Sequence, residues 1–246
     1  MLIFVNETMQ APSQTAQAPS QTEQIYSRLR QNILALDVTP GARLTERGLE
    51  AELSASRTPV RAALMRLESE GLVQRDGRGW MVAPIDLGEV ESLLELRVAV
   101  ESAAAGLAIQ HASNEDLDAL DELLSSFDPR DSQEAGHRMG TDFHVELVRL
   151  SENPFMVAST VDSMTRLSRT RWLEVRTEQS RALAVAEHRA IVEALKARDA
   201  PEAARLVALH ISNTQERLGE SLDEERSKSL RARGFVVLRG LPGAAL

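Results

Sequence analysis

Three histidines carry the most specific chemistry this sequence offers. His188 and His210 each stand eleven residues from Asp199, which opens the turn Asp199-Ala200-Pro201. In an antiparallel helical hairpin, residues equally far from the turn lie at one height, here about 16 Å from it at 1.5 Å per residue. Both imidazoles can then face a single point. His144 belongs to another amphipathic stretch, preceded by Phe143 and followed by Leu147, Val148 and Leu150. Three imidazoles converging in a helical core suit a divalent ion such as zinc or nickel.

A second set of reactive side chains lies in Ser-Ala-Ser-Arg-Thr-Pro-Val-Arg, residues 54–61. Arg57 and Arg61 are four apart and share a helix face, with Thr58 beside them. Pro59 falls in the first turn, where its missing N–H has no intrahelical partner to lose. Behind this basic end, Val60, Ala63, Leu64, Leu67 and Leu72 form an apolar stripe. Such a helix presents its N-terminal end to phosphates and base edges while its remainder packs inward.

The elements around these residues follow from pattern. Ile25, Leu29, Ile33 and Leu36 predict a helix over about 23–36, and Thr39-Pro40-Gly41 a turn. Thr45 is a candidate N-cap for a helix through Leu53, and Ser54 or Ser56 for one through about Gly71. Residues 72–75 and 80–82 flank Asp76-Gly77-Arg78-Gly79 as a hairpin with a basic tip. Helix, helix, turn, helix, hairpin is a winged helix-turn-helix. Between Gln24 and Ala83 nine arginines face seven acids, a net of +2, whereas the whole chain carries -9. The basic excess therefore sits where a polyanion would bind.

From Asp86 to Leu222 the chain is alanine- and leucine-rich and helical by period. Helices are expected at about 86–111, 113–126, 131–151, 154–177, 180–198 and 201–221. The fold class is mainly α, a winged helix-turn-helix followed by an all-α antiparallel bundle. The expected organisation is a disordered lead-in at 1–22, the DNA-binding domain at 23–84, the helical domain at 85–222, and a basic, poorly ordered tail at 223–246. The lead-in duplicates a Pro-, Ser- and Gln-containing heptad that cannot build a core. There is no cysteine and no apolar run of membrane-spanning length, so a soluble cytoplasmic protein without membrane association is expected.

Leu44-Thr45-Glu46-Arg47-Gly48-Leu49, the 56–64 segment Ser-Arg-Thr-Pro-Val-Arg-Ala-Ala-Leu, and Glu70-Gly71-Leu72-Val73 with the glycine wing resemble the DNA-binding domain of the GntR family of bacterial transcription regulators. The resemblance implies DNA contacts from Arg47, Arg57, Thr58, Arg61 and Gly79. Asp142-Phe143-His144 nine residues before Asn153-Pro154, with Glu187-His188-Arg189-Ala190-Ile191 and His210-Ile211, resembles the FCD effector-binding domain of the FadR-type branch. That likeness implies metal ligation by His144, His188 and His210, and an effector contact from Arg97. It also implies an aspartate four residues before the first histidine, where this chain has Gly140. Asp142 projects to the other side of the helix and is no substitute. His111 and His137 match nothing and are expected at the surface.

The leading expectation is a homodimeric regulator of a pseudo-palindromic double-stranded DNA operator, controlled by a small organic acid. Two other readings remain open at this stage. One is a metal-dependent hydrolase joined to a DNA-binding module, although no nucleophile motif accompanies the histidines. The other is an architectural DNA binder without a ligand.

Overall fold

The computed structural model describes residues 19–228 and 237–238. Helix α1 (Gln21–Leu34) begins two residues earlier than expected because Ser20 caps it, its hydroxyl accepting the Glu23 amide. Strand β1 (Arg43–Leu44) follows, then α2 (Glu46–Leu53), α3 (Arg57–Ser69), β2 (Val73–Asp76) and β3 (Gly79–Val82). Thr45 caps α2 as expected, accepting the Gly48 amide at 3.0 Å. Ser54 adopts a left-handed φ of 48° and closes α2, which leaves Ser56 as the extended residue before α3. The three strands form an antiparallel sheet in the order β1-β3-β2. Asp76 pairs with Gly79, so Gly77 and Arg78 make a two-residue turn, with Gly77 at a φ of 58° that glycine takes without strain. Strand β1 was not expected, since two residues are too short to show a period of two.

One apolar cluster unites these elements: Ile25, Leu29 and Ile33 of α1, Val60, Leu64 and Leu67 of α3, and Leu72, Trp80 and Val82 of the wing. The stripe behind Arg57 and Arg61 is therefore the core of the domain.

After β4 (Ile85–Asp86), the bundle comprises α4 (Leu87–His111), α5 (Asn114–Ser125), α6 (Gln133–Arg149), α7 (Pro154–Arg166), α8 (Ser168–Glu174), α9 (Glu178–Lys196) and α10 (Ala200–Lys228). Strand β5 (Val237–Leu238) pairs in parallel with β4. The capping residues are polar and local. Asp86 accepts the Gly88 and Glu89 amides, Ser113 and Asp116 form a reciprocal capping box, and Asp199 accepts the Glu202 amide. Central helix α4 packs along α10, α6 and α7. Its buried residues are Val90, Leu94, Arg97, Glu101, Ala104, Ala105 and Ala108, a helical stripe with two charges in it.

Two expectations need correction. The helix anticipated over 154–177 is two helices, α7 and α8, divided at Leu167, where ψ of -2° interrupts the α-helical ladder. No Gly or Pro marks the break. All seven residues of α8 are buried, so packing on several sides sets its direction. Likewise α10 passes the expected end at 221 and runs to Lys228, through residues free of Gly and Pro. Residues 1–18 of the lead-in, and 229–236 and 239–246 of the tail, lie outside the described residues. Among the described residues no helix is long and apolar enough to cross a membrane.

Leu64 is fully buried in the winged-helix core, whereas its neighbour Met65 is 53% exposed. Leu64→Ala is expected to destabilise the protein by about 2–5 kcal/mol and Met65→Ala by less than about 0.5 kcal/mol, measured by urea denaturation.

Candidate functional site

Helices α6, α9 and α10 bring the three histidines together deep in the bundle. Their relative exposures are 2% for His144, 2% for His188 and 4% for His210. The hairpin register places His188 Nε2 3.2 Å from His210 Nε2, and His210 Nε2 lies 3.2 Å from His144 Nε2. Phe143, one residue from His144, stacks on the His188 ring at 4.0 Å between centroids and fixes its plane.

The outward nitrogens of two rings are held by carboxylates. His144 Nδ1 lies 2.7 Å from Glu101 Oε2, and the other oxygen of Glu101 accepts from Arg97 Nε at 2.7 Å. His210 Nδ1 lies 2.6 Å from Glu187 Oε2, and Glu187 also accepts from Asn213 and Arg217. Burial would raise the Glu101 carboxyl, but Arg97 and then His144 keep it far below the ordinary carboxylate range. Burial likewise opposes ionisation of Glu187, and hydrogen bonds from His210 and Arg217 bring it down to about 2. Both groups are anionic acceptors, so each facing Nδ1 is the N–H donor.

That assignment decides what the inward nitrogens are. Burial drives the His144 imidazole down to about 3 and the His188 imidazole well below its ordinary value. A neutral ring with its hydrogen on Nδ1 has a lone pair on Nε2. His144 Nε2 therefore presents a lone pair toward the other two rings, and it lies 3.2 Å from His210 Nε2. Three converging Nε2 atoms with such lone pairs would suit a divalent cation. Ligands about 2.05 Å from a tetrahedral zinc stand roughly 3.3 Å apart, close to the observed spacing. Carboxylates behind ligating imidazoles also orient the rings and raise their basicity. Among the described residues these three histidines are the group able to hold a metal ion.

Gly140 faces the same place. A Cβ built on it would meet Arg171 Nη2 at 2.7 Å and His188 Cε1 at 3.9 Å. The position where the resemblance implies an aspartate thus points at the histidines, and the Arg171 guanidinium fills the space beside it. Asp142 is exposed and lines a cleft of about 360 Å³ between α1 and α6, which His137 borders and to which His144, His188 and His210 do not contribute. Arg97 is 1% exposed, and its Nη2 has no partner among the described residues.

His137, expected at the surface, is buried. Its Nε2 lies 3.0 Å from the Ser168 carbonyl, and burial followed by Arg171 lowers the imidazole to about 3, so it donates as a neutral ring. The short helix α8 covers it, which the sequence does not reveal. His111 is exposed as expected, with Nδ1 against the Ser151 carbonyl. Glu101, Glu187 and Arg171 were not among the expected site residues. Glu101 had a legible signal, standing one turn after Arg97 on an otherwise apolar stripe.

At the other end of the molecule, Arg47, Arg57, Thr58 and Arg61 are all exposed at the α2–α3 corner. Glu46 orients two of them, accepting from Arg57 Nε at 2.6 Å and lying 3.9 Å from Arg61 Nε. Gly79 sits within β3, where a Cβ would approach the Leu44 carbonyl at 3.3 Å. It lets the sheet close, while Gly77 and Arg78 form the exposed wing tip. Arg75 stacks over Trp80 at 3.5 Å and stiffens the wing.

Residues 21–82 match the bacterial regulatory proteins of the gntR family, and residues 92–213 match the FCD domain. The chain is 34% identical over 175 residues to the Nta operon transcriptional regulator of Aminobacter aminovorans, covering 70% of this chain and 82% of that protein. It is 33% identical over 204 residues to an HTH-type transcriptional regulator in an unstable DNA locus of Streptomyces ambofaciens, covering 76% of this chain and 80% of that one. In fold it is similar to E. coli McbR/YncC, with a TM-score of 0.64 and 22% identity over 83% of this chain and 100% of the other. A winged helix-turn-helix with an exposed basic corner, an FCD-matching bundle behind it, and relatives aligned over most of their length lead to one conclusion: the chain belongs to the gntR family of bacterial regulatory proteins and is a transcription regulator with a C-terminal FCD domain.

Proposed function

We propose that this regulator binds a pseudo-palindromic operator as a homodimer and is controlled by a small carboxylate effector at a divalent metal held by His144, His188 and His210. The observation that carries the reading is the convergence of three buried imidazoles whose Nε2 atoms stand 3.2 Å apart in successive pairs, with the Nδ1 atoms of His144 and His210 held against carboxylates. A bound divalent ion supplies Lewis acidity and positions for effector oxygens. The chain supplies the remainder. Glu101 and Glu187 hold the ring tautomers, Phe143 fixes the His188 plane, and Arg97 offers an unpartnered Nη2 to an anion.

DNA recognition rests on the α3 N-terminus. Arg57 and Arg61 approach base edges or phosphates, Arg47 and Thr58 flank them, and the Gly77–Gly79 wing lies beside the duplex. One winged helix spans few base pairs, and a two-fold dimer doubles the site. Effector binding changes the spacing of the two recognition helices, and by linkage the operator changes effector affinity by the same factor.

Elemental analysis of protein purified without chelators tests the metal reading. About one zinc or nickel per chain is expected in the wild type and far less in His188→Ala. A metal-free wild type that also fails to take up added zinc overturns it. Glu101→Gln should weaken metal affinity about 10–100-fold in competition with a chromophoric chelator, because His144 loses the carboxylate behind it. For DNA, Arg57→Ala and Arg61→Ala should each lower operator affinity by about 1–3 kcal/mol in fluorescence anisotropy. Arg149→Ala, exposed on α6, should leave it unchanged.

A further inference from the structure

Arg171 is 5% exposed, yet among the described residues no carboxylate lies within ion-pairing distance of its guanidinium. Its hydrogen bond goes to the neutral Thr141 hydroxyl, Nη1 to Oγ1 at 2.6 Å. Glu174, Glu101 and Asp142 act on it only from beyond ion-pairing distance, and a buried guanidinium without a directly paired anion is costly. Nη2 approaches the space beside Gly140, which His188 Cε1 also borders. Arg97 contributes a second buried guanidinium with a free Nη2.

The local charges indicate how many negative groups the site takes. Among the groups inside the bundle, Arg97, Arg171 and Arg217 stand against Glu101, Glu174 and Glu187, and these cancel, while Asp142 acts on Arg171 from the solvent-exposed side. A divalent ion on the histidines then leaves two positive charges in a buried setting. A monocarboxylate answers one of them and a dicarboxylate both.

The same short helix reaches the DNA-binding domain. Trp172, the next residue, is 9% exposed and belongs to the apolar cluster of the winged helix-turn-helix. Its carbonyl accepts from Gln133 at 2.6 Å. Arg169 donates to the Ala83 and Pro84 carbonyls, in the segment that joins the two domains. An anion that draws Arg171 away from Thr141 therefore acts on a helix fixed at its other face to the DNA-binding module.

We propose that Arg171 is the specificity-determining residue of the effector site, that with Arg97 it takes the second carboxylate of a dicarboxylate effector, and that α8 passes its displacement to the DNA-binding domain through Trp172 and Arg169. This rests on the metal-and-carboxylate reading above and adds the effector's charge and the route of its signal.

The test uses the full chain loaded with zinc, with malonate, succinate and glutarate as probes against acetate and butyrate. Binding is read by calorimetry, and α8 is read by Trp172 emission in a Trp80→Phe background. At least one dicarboxylate should bind about tenfold or more tighter than either monocarboxylate, a difference of about 1.4 kcal/mol, and shift the emission. Arg171→Gln should abolish the preference and the emission change while metal content stays at the wild-type level. Gly140→Asp places a carboxylate against Arg171 and should move the preference toward monocarboxylates, so the idea stays testable if Arg171→Gln fails to fold. Equal binding of mono- and dicarboxylates by wild type, or an undiminished preference in both variants, overturns the proposal and leaves the metal reading standing. A chain that takes up no zinc but binds a dicarboxylate in an Arg171-dependent way overturns the metal reading and retains the Arg171 anion site.

Discussion

The Glu101 carboxylate, fully buried and shared between Arg97 and His144, is the constraint around which the bundle is organised. A carboxylate out of water is tolerated only when its oxygens are met by charged or hydrogen-bonding partners, and removing one partner of a buried pair typically costs about 3–5 kcal/mol. Here each oxygen has its own partner, one from α4 itself and one from α6. The interaction therefore locks the central helix to the helix bearing the first histidine. It also dictates the His144 tautomer, and through it the character of the atom pointing into the site.

Glu187 repeats the device on the opposite side. It holds His210 while sharing Arg217 with Glu174, so three helices, α8, α9 and α10, are joined through one polar network. Two carboxylates facing outward and three imidazole nitrogens facing inward describe a centre prepared from behind. Phe143 adds an apolar wall that keeps the His188 ring in plane. The DNA-binding end is built on the reverse principle: Arg57 and Arg61 are exposed, they share the carboxylate of Glu46, and the apolar stripe behind them supplies the rigidity.

Between the two ends lies α8. Seven buried residues divide their attention: Arg171 toward the histidines, Trp172 toward the winged-helix core, Arg169 toward the connecting segment, and Glu174 toward Arg217. Within seven residues α8 combines contacts with both the polar centre and the DNA-binding core.

Much of this architecture is legible in one dimension. Periodicity located the helices, local capping residues such as Thr45, Ser113 and Asp199 located their starts, and equal distances from Asp199 placed His188 and His210 at one level. These features depend on neighbours three or four residues apart or on one tight turn, and such short-range geometry follows from covalent structure and local hydrogen bonding. The division of α7 from α8, the burial of His137 under Ser168, and the position of Arg171 beside Gly140 depend on helices far apart in sequence packing on one another. The same is true of the two carboxylates that fix the imidazoles, since Glu101 is 43 residues from His144. Residue types and local spacing thus determined the fold class, the exposed basic corner of the winged helix-turn-helix and the level of the histidines. Only tertiary packing decided which imidazole nitrogens face carboxylates and which buried guanidinium has no directly paired carboxylate, because both are set by what lies across the core.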